Sequence, residues 1–208
     1  AASDVYKRQA TNITVGKGVS FTGRSARSSG IYISTSNGFT AQGDGAINAI
    51  STDGNGLSAS CRLLTVDGGL KIAAQSESKH ALSVTNTLTL NDGTLNAEST
   101  SGYGIYGERL MMYAGTINAV SQTGKGTNIQ LYVNGGTVNA KSTAGDALYR
   151  SSGNNNTALT LNGGTVNAES ENGTAVSGRV TVQVGTLNAK STGGAAISGD
   201  ISKKVGST

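Results

Sequence analysis

The 208-residue chain has few of the residues that carry catalysis or metal binding, and it contains no proline or tryptophan. Its single cysteine, Cys61, cannot form an intrachain disulfide, and its single histidine, His80, cannot build a zinc cluster. No apolar run approaches the length of a membrane-spanning helix. Only 13% of the residues are charged, and the basic ones are dispersed, so the sequence shows no nucleic-acid footprint despite a net charge of +4.

Glycine is abundant instead, with 31 residues, and several of them open a repeated seven-residue motif. The copy that begins at Gly136 reads Gly-Thr-Val-Asn-Ala-Lys-Ser. Other copies begin at Gly93, Gly115, Gly164 and Gly185, and a partial copy begins at Gly206. Successive copies are 21–28 residues apart, a spacing typical of a protein built from stacked repeats.

A second regularity follows the serine that ends each motif. If looser upstream copies are included, this serine occurs in eight rows, and the residue six positions later is apolar in all rows except that of Thr127. Within the motif, apolar and polar residues alternate, as they do in a strand with one buried face. Stacking the rows gives an apolar column of Phe21, Ile47, Ile72, Leu95, Ile117, Val138, Val166 and Leu187.

These patterns predict an all-β fold, a single-stranded parallel β-helix (β-solenoid). We expect about eight coils of 21–28 residues, each with three short strands that pair with their counterparts in the next coil, about 4.8 Å away. A coil cannot bury its own apolar face, so neighbouring coils must stabilise one another. An antiparallel β-sandwich is the alternative, because short strands with glycine turns also fit it. The in-register columns favour the solenoid.

The repeat also divides the chain. Residues 1–9 do not match it and resemble a translated adapter peptide of the kind seen at the ends of metagenomic reading frames. We therefore expect a non-native tail followed by one repeat domain over residues 10–208. The repeats are most regular over residues 86–200, apart from a polar insertion at residues 151–156 that predicts a loop. Residues 201–208 match part of a further repeat and are interpreted as a clipped copy.

Two outward columns on the motif strands form a candidate ligand-binding surface. One column is Asn96, Asn118, Asn139, Asn167 and Asn188, and the other is Thr94, Thr116, Thr137, Thr165 and Thr186. Stacked amides can hydrogen-bond along a ladder and serve only to stiffen it. A regular polar surface also matches an ordered ligand, either a polysaccharide or ice. The sequence leaves the structural and the ligand-binding interpretations open.

Exposed tyrosines form a second candidate site. Tyr106 and Tyr149 each lie seven residues after a motif serine, so they should face outward two coils apart, with Asn128 between them. Tyr132 lies in the coil of Asn128, on a side that the sequence does not fix. Tyrosine rings can stack on sugar faces while their hydroxyls hydrogen-bond. Isolated surface aromatics also occur without a ligand.

The acidic residues form no catalytic or metal-binding constellation in the sequence. Asp67 and Asp92 fall at equivalent turns, but two carboxylates without a third acid make a poor calcium site, so turn formation is their expected role. Glu169 and Glu171 can share a strand face, yet no acid and base are placed across a cleft. We therefore expect no catalytic residue, no metal and no cofactor.

The regular part of the chain resembles a family of repeat proteins. Its form is Leu-x-Leu-Asn-Gly-Gly-Thr-Val-x-Ala followed by a Gly-x-Ala-Ile-Ser-like strand, and residues 159–178 match it best. Such repeats are similar to those of secreted and cell-surface proteins of gut Firmicutes and their relatives. Some of these relatives are carbohydrate-binding β-helix domains that resemble pectate-lyase scaffolds without the catalytic acids. The resemblance implies an extracellular or bacterial cell-surface protein.

The leading expectation is a non-enzymatic repeat module of a bacterial surface protein. It would act as a rigid scaffold or adhesin, with a polysaccharide or cell-surface glycan as its ligand and no nucleic-acid partner. The alternative is a fragment of a β-helix polysaccharide lyase or hydrolase whose active coils lie outside this sequence, and the third is an ice-binding protein. End-to-end association through uncapped coil ends is a further expectation.

Overall fold

The computed structural model describes residues 11–150 and 157–203, and every regular element in these two ranges is a β-strand. The adapter-like tail, the insertion at residues 151–156 and the last five residues of the clipped repeat lie outside the described residues. The described strands, in chain order, are β1 (Asn12–Thr14), β2 (Ser20–Ser25), β3 (Ile31–Ser34), β4 (Gly38–Gln42), β5 (Ala46–Ser51), β6 (Leu57–Ser60), β7 (Leu63–Asp67), β8 (Lys71–Ser76), β9 (Leu82–Leu90), β10 (Thr94–Ser99), β11 (Ile105–Met112), β12 (Thr116–Ser121), β13 (Thr127–Val133), β14 (Thr137–Ser142), β15 (Leu148–Tyr149), β16 (Thr157–Leu161), β17 (Thr165–Ser170), β18 (Val176–Ser177), β19 (Arg179–Val182), β20 (Thr186–Ser191), β21 (Ile197–Ser198) and β22 (Ile201–Lys203).

The strands form two parallel sheets that wind into a β-solenoid of about eight turns. Eight strands that carry the seven-residue motif make the motif sheet, in the order β2-β5-β8-β10-β12-β14-β17-β20. The other fourteen described strands make the second sheet, which covers the remaining two sides of each coil. All pairings are parallel, so the predicted fold class is confirmed and the antiparallel sandwich is excluded.

The coils do not all divide into three separate strands. In the central coils, the two strands of the second sheet are joined into one continuous strand, as in β9, β11 and β13. A register shift between Tyr106 and Arg109 lets β11 bend at this point while it stays paired with β13. A bulge of this kind turns a strand without ending it, so the corner needs no separate turn.

The repeated motif sets the register of the motif sheet. Ile117 pairs with Val138, and Val138 pairs with Val166, so the predicted apolar column is continuous. The glycine that opens the motif is required by its corner. Gly136 has a φ of 79°, and a Cβ placed there would lie 2.6 Å from the carbonyl oxygen of Gly115 in the coil below. Coils therefore approach at this corner more closely than a side chain would permit.

The serine that ends each motif strand links one coil to the next by hydrogen bonds. Ser142 is buried, and its Oγ donates to the carbonyl oxygen of Gly124 at 2.7 Å while accepting from the N–H of Gly145 at 2.9 Å. The same pair of bonds is made by Ser51, Ser76, Ser99, Ser121, Ser170 and Ser191. The serine column thus satisfies the backbone of the turn that follows each motif strand.

Thr127 interrupts an otherwise apolar column of the second sheet. It pairs with Ile105 on one side and Leu148 on the other, and its side chain is fully buried. Its hydroxyl is the one buried side-chain polar atom in the described ranges that lacks a hydrogen-bond partner. An unpaired buried hydroxyl lowers stability, so this position is a weak point in the core.

Candidate binding surfaces

The two columns of the motif sheet are in register along the solenoid. Each asparagine amide donates to the asparagine of the coil below over 2.7–2.8 Å, and this ladder joins Asn96, Asn118, Asn139, Asn167 and Asn188. The parallel column holds Thr94, Thr116, Thr137, Thr165 and Thr186. The threonine hydroxyls make no hydrogen bond to other described residues. The amides are therefore used within the protein, and the hydroxyls face solvent.

A neighbouring column on the motif sheet carries paired charges. The Lys141 Nζ lies 3.9 Å from a carboxylate oxygen of Glu169 and 3.9 Å from one of Glu171. The Lys190 Nζ lies 3.5 Å from the other Glu169 oxygen. These side chains are about half exposed or more, so each pair contributes under about 1 kcal/mol. Their main effect is to cancel charge on this face.

The tyrosines lie on the second sheet, away from the motif strands. Tyr106 pairs with Asn128, and Asn128 pairs with Tyr149, so the two rings are two coils apart as the spacing predicts. Tyr106 stacks on His80, with ring centroids 4.6 Å apart and planes 20° from parallel. Tyr103 stacks on the same imidazole at 4.8 Å and 9°. Three aromatic rings from adjacent coils therefore form one stacked group.

A lysine extends this group along the solenoid axis. The Lys125 Nζ lies 4.0 Å from the centroid of the Tyr149 ring and 6.0 Å from that of Tyr103. An ammonium over a ring face is held by cation–π attraction. We call the set of His80, Tyr103, Tyr106, Lys125 and Tyr149 the aromatic column. Its three tyrosine hydroxyls make no hydrogen bond to the described residues, so they are available to a ligand.

His80 is held as a neutral ring in this column. Its Nδ1 accepts a hydrogen bond from the backbone N–H of Tyr103 at 3.1 Å, which places the imidazole proton on Nε2. Burial lowers the pKa of His80 below its usual value, and repulsion by the charge of Lys79 lowers it further. The ring therefore stacks on both tyrosines without adding a charge at neutral pH.

Tyr132 lies at the next corner of the second sheet, beyond the β11 bulge. The Gln130 amide donates to its hydroxyl at 2.7 Å, and the Arg109 guanidinium lies 5.7 Å from the centroid of its ring. The guanidinium of Arg150 donates to the carbonyl oxygen of Gly107 at 3.2 Å. Arg150 therefore contacts the segment directly after Tyr106, whereas Arg109 lies over a ring on the part of the second sheet beyond the bulge.

The sequence analysis did not bring His80, Tyr103 and Lys125 together, although a signal was present. All three lie four residues after a motif serine, at Ser76, Ser99 and Ser121 respectively. This offset places them in one column at the corner before the second sheet. An alignment of the repeats on the motif serine, with every position after the serine compared between coils, would have found the column.

Two of the acidic residues considered for chemistry, Asp67 and Asp92, stabilise turns. Asp67 accepts a hydrogen bond from the N–H of Gly68, and Asp92 accepts one from the N–H of Gly93, both at 2.7 Å. This is the turn role that the sequence predicts. In residues 11–150 and 157–203, no three histidine, cysteine or acidic side chains come together as a metal site would require. Cys61 is buried, and burial raises the pKa of its thiol.

Comparison with known proteins identified no relative of this chain. No protein-family model matches the chain, and searches of curated proteins and of solved structures gave no significant match. Kinship with the Firmicutes surface proteins therefore remains a resemblance of motif. The parts of the chain that the structure describes contain no helix long and apolar enough to cross a membrane.

Proposed function

We propose that the chain is a non-enzymatic β-solenoid module of a secreted or cell-surface bacterial protein, and that it binds a polysaccharide along its second sheet. The observation that carries this proposal is the aromatic column. It places three tyrosines with free hydroxyls on one side of the solenoid, Tyr103 and Tyr106 in one coil and Tyr149 two coils further on, and Tyr106 is 42% exposed. Aromatic rings with hydroxyl groups contact both the apolar faces and the hydroxyls of sugars.

The repeat geometry favours a polymer over a small ligand. Equivalent positions recur about every 4.8 Å along the axis, so the rings of Tyr106 and Tyr149 are roughly 10 Å apart. One coil is comparable in length with one sugar residue of a chain. A polysaccharide that lies parallel to the axis can therefore contact Tyr106, the amide of Asn128 and Tyr149 in three successive coils.

The scaffold role is supported by the two hydrogen-bonded ladders. The asparagine amides and the motif serines join successive coils on the motif sheet and at its corner. Because the amides are used in this way, the motif sheet is a weaker candidate for ligand binding than the aromatic column. Its expected contribution is a stiff rod that presents the second sheet.

The test is co-sedimentation of the full chain with a panel of insoluble polysaccharides. The test variant is Tyr106→Ala/Tyr149→Ala, and the matched control is Tyr113→Ala, which removes a tyrosine of similar exposure (49%) outside the column. We expect the wild type and the control to be retained on at least one polymer and the double variant to be lost. The proposal would be refuted if the double variant were retained as well as the wild type, or if no polysaccharide retained the wild type. Circular dichroism checks that each variant is folded.

A further inference from the structure

The cations near the aromatic column have no carboxylate partner, as is true of most cations in the described ranges, but Lys125 and Arg109 are each also held over a tyrosine ring. On the motif sheet, Lys141 and Lys190 are paired with Glu169, and at the end of the second sheet Arg179 lies 3.8 Å from Asp200. Lys125 of the column and three cations close to its members in the chain, Lys79, Arg109 and Arg150, form no ion pair with any described residue.

Neutral tyrosine rings hold two of these unpaired cations in place. Lys125 lies over the ring of Tyr149, and Arg109 lies over the ring of Tyr132. Neither contact neutralises the charge, because cation–π attraction comes from the quadrupole of an uncharged ring. Both groups are therefore fixed in position while they remain free to take an anion.

The local charge is positive. Around the column, the segments 79–86, 103–111, 125–132 and 146–150 carry the four cations and only two carboxylates, Glu108 and Asp146. One of these is partly used, since Asp146 accepts a hydrogen bond from the N–H of Thr174 at 2.8 Å. A surface with fixed, unpaired cations attracts an anionic ligand and repels a cationic one.

We infer that the ligand of this surface is an acidic polysaccharide, whose carboxylate or sulfate groups are bound by Lys125 and Arg109 while its sugar rings contact the tyrosines. This inference rests on the proposed function and adds the charge class of the glycan. Arginine suits the role because its planar guanidinium binds a carboxylate or a sulfate through two parallel hydrogen bonds. Lys125, between Tyr103 and Tyr149, reaches an acid group on a chain that lies along the column.

The inference is tested by affinity electrophoresis of the full chain in gels that contain polygalacturonate, dextran sulfate or unmodified dextran. The first two polymers separate carboxylate from sulfate recognition, and the third is the neutral comparison. Lys125→Met removes the cation of the column, Arg109→Met removes the cation over Tyr132, and both substitutions keep an apolar stem. Lys190→Met removes a paired cation from the motif sheet as a charge-matched control. Lys125→Arg keeps both the charge and the ring contact.

We expect an acidic polymer to retard the wild type, Lys190→Met and Lys125→Arg, with affinity about tenfold weaker for Lys125→Met and for Arg109→Met. Binding to all three polymers that depends on Tyr106 and Tyr149 but not on Lys125 or Arg109 would overturn the inference and leave the proposed function standing. Equal losses in all the charge-removing variants, or equal binding to single-stranded DNA, would show attraction by net charge alone and would also overturn it. Binding to neither acidic polymer would overturn the inference, and the co-sedimentation panel would still decide the proposed function.

Discussion

Replacing Thr127 by valine should stabilise the protein, because the native hydroxyl is buried without a hydrogen bond. The side chain lies between Ile105 and Leu148 in a column where other coils place aliphatic residues. Thr127→Val keeps the branched shape and replaces the hydroxyl by a methyl group. It removes a desolvation cost of about 1–3 kcal/mol and adds apolar burial of up to about 0.8 kcal/mol.

We therefore expect the free energy of unfolding to rise by about 1–4 kcal/mol. For a chain of this size, each kcal/mol corresponds to roughly 2–4 °C in the melting temperature. Urea unfolding followed by circular dichroism gives the free energy, and a thermal melt gives the temperature shift. Stacked repeats can unfold in parts, so hydrogen exchange at Ile105 and Leu148 should also slow in the variant.

Thr137→Val is the control, because its hydroxyl belongs to the half-exposed threonine column of the motif sheet. That change should alter stability by no more than about 0.5 kcal/mol. If Thr127→Val is no more stable than the wild type while Thr137→Val is neutral, the Thr127 hydroxyl has a partner in solution. The reasoning from its burial would then be refuted.

Three further perturbations test the ladders and the aromatic column. Ser142→Ala removes the bonds to Gly124 and Gly145 from a buried site. It should lower the free energy of unfolding in urea by about 1–3 kcal/mol, and an unchanged value would mean that water replaces the hydroxyl. Asn139→Asp replaces the amide that donates to Asn118 by a carboxylate, which faces the oxygen of that residue. The free energy of unfolding should fall by about 1–2 kcal/mol near neutral pH. It should recover in part below about pH 4, where the carboxyl group is protonated and can donate a hydrogen bond. A loss of stability that does not change with pH would contradict the ladder. Because burial, aided by Lys79, lowers the pKa of His80, the folded chain binds fewer protons there than the unfolded chain, whose histidine titrates near about 6.5. The stability of the wild type relative to His80→Gln should therefore be constant above about pH 6.5 and fall as the pH drops below it. A rise in the relative stability of the wild type on acidification would refute the neutral stacked ring.

The fold was predictable because the same constraint is repeated in every coil. The corner that requires glycine at Gly136 recurs in the regular coils at Gly93, Gly115, Gly164 and Gly185, and the alternation around Val138 fixes which face is buried. If the register of one strand is assigned wrongly by one residue, every side chain of that strand points to the wrong face. Comparison with the strands of the neighbouring coils therefore reveals the error. The continuous strand β11 was not predicted, because its bulge occurs where the sequence departs from the repeat.

The aromatic column was harder to predict because its members are different residue types. Tyr106 and Tyr149 were found from their shared offset and residue type, whereas His80 and Lys125 share only the offset with Tyr103. Whether such residues meet depends on rotamers and on the distance between coils, and neither is encoded in a repeat pattern. The pairing of Nδ1 of His80 with a backbone N–H is likewise visible only in three dimensions.

The contrast between uniform and varied columns is itself a guide to function in a solenoid. A column of one residue type, such as that of Asn118 and Asn139, satisfies its own hydrogen bonds from coil to coil and needs no external partner. A column that changes from His80 to Tyr103 to Lys125 cannot repeat one bond, and it leaves three tyrosine hydroxyls and an ammonium without a polar partner in the described residues. Polar groups that are held in position but have no partner within the protein can form hydrogen bonds and ion pairs with a ligand. The varied column is therefore the surface on which substitutions should change binding while they leave the fold intact.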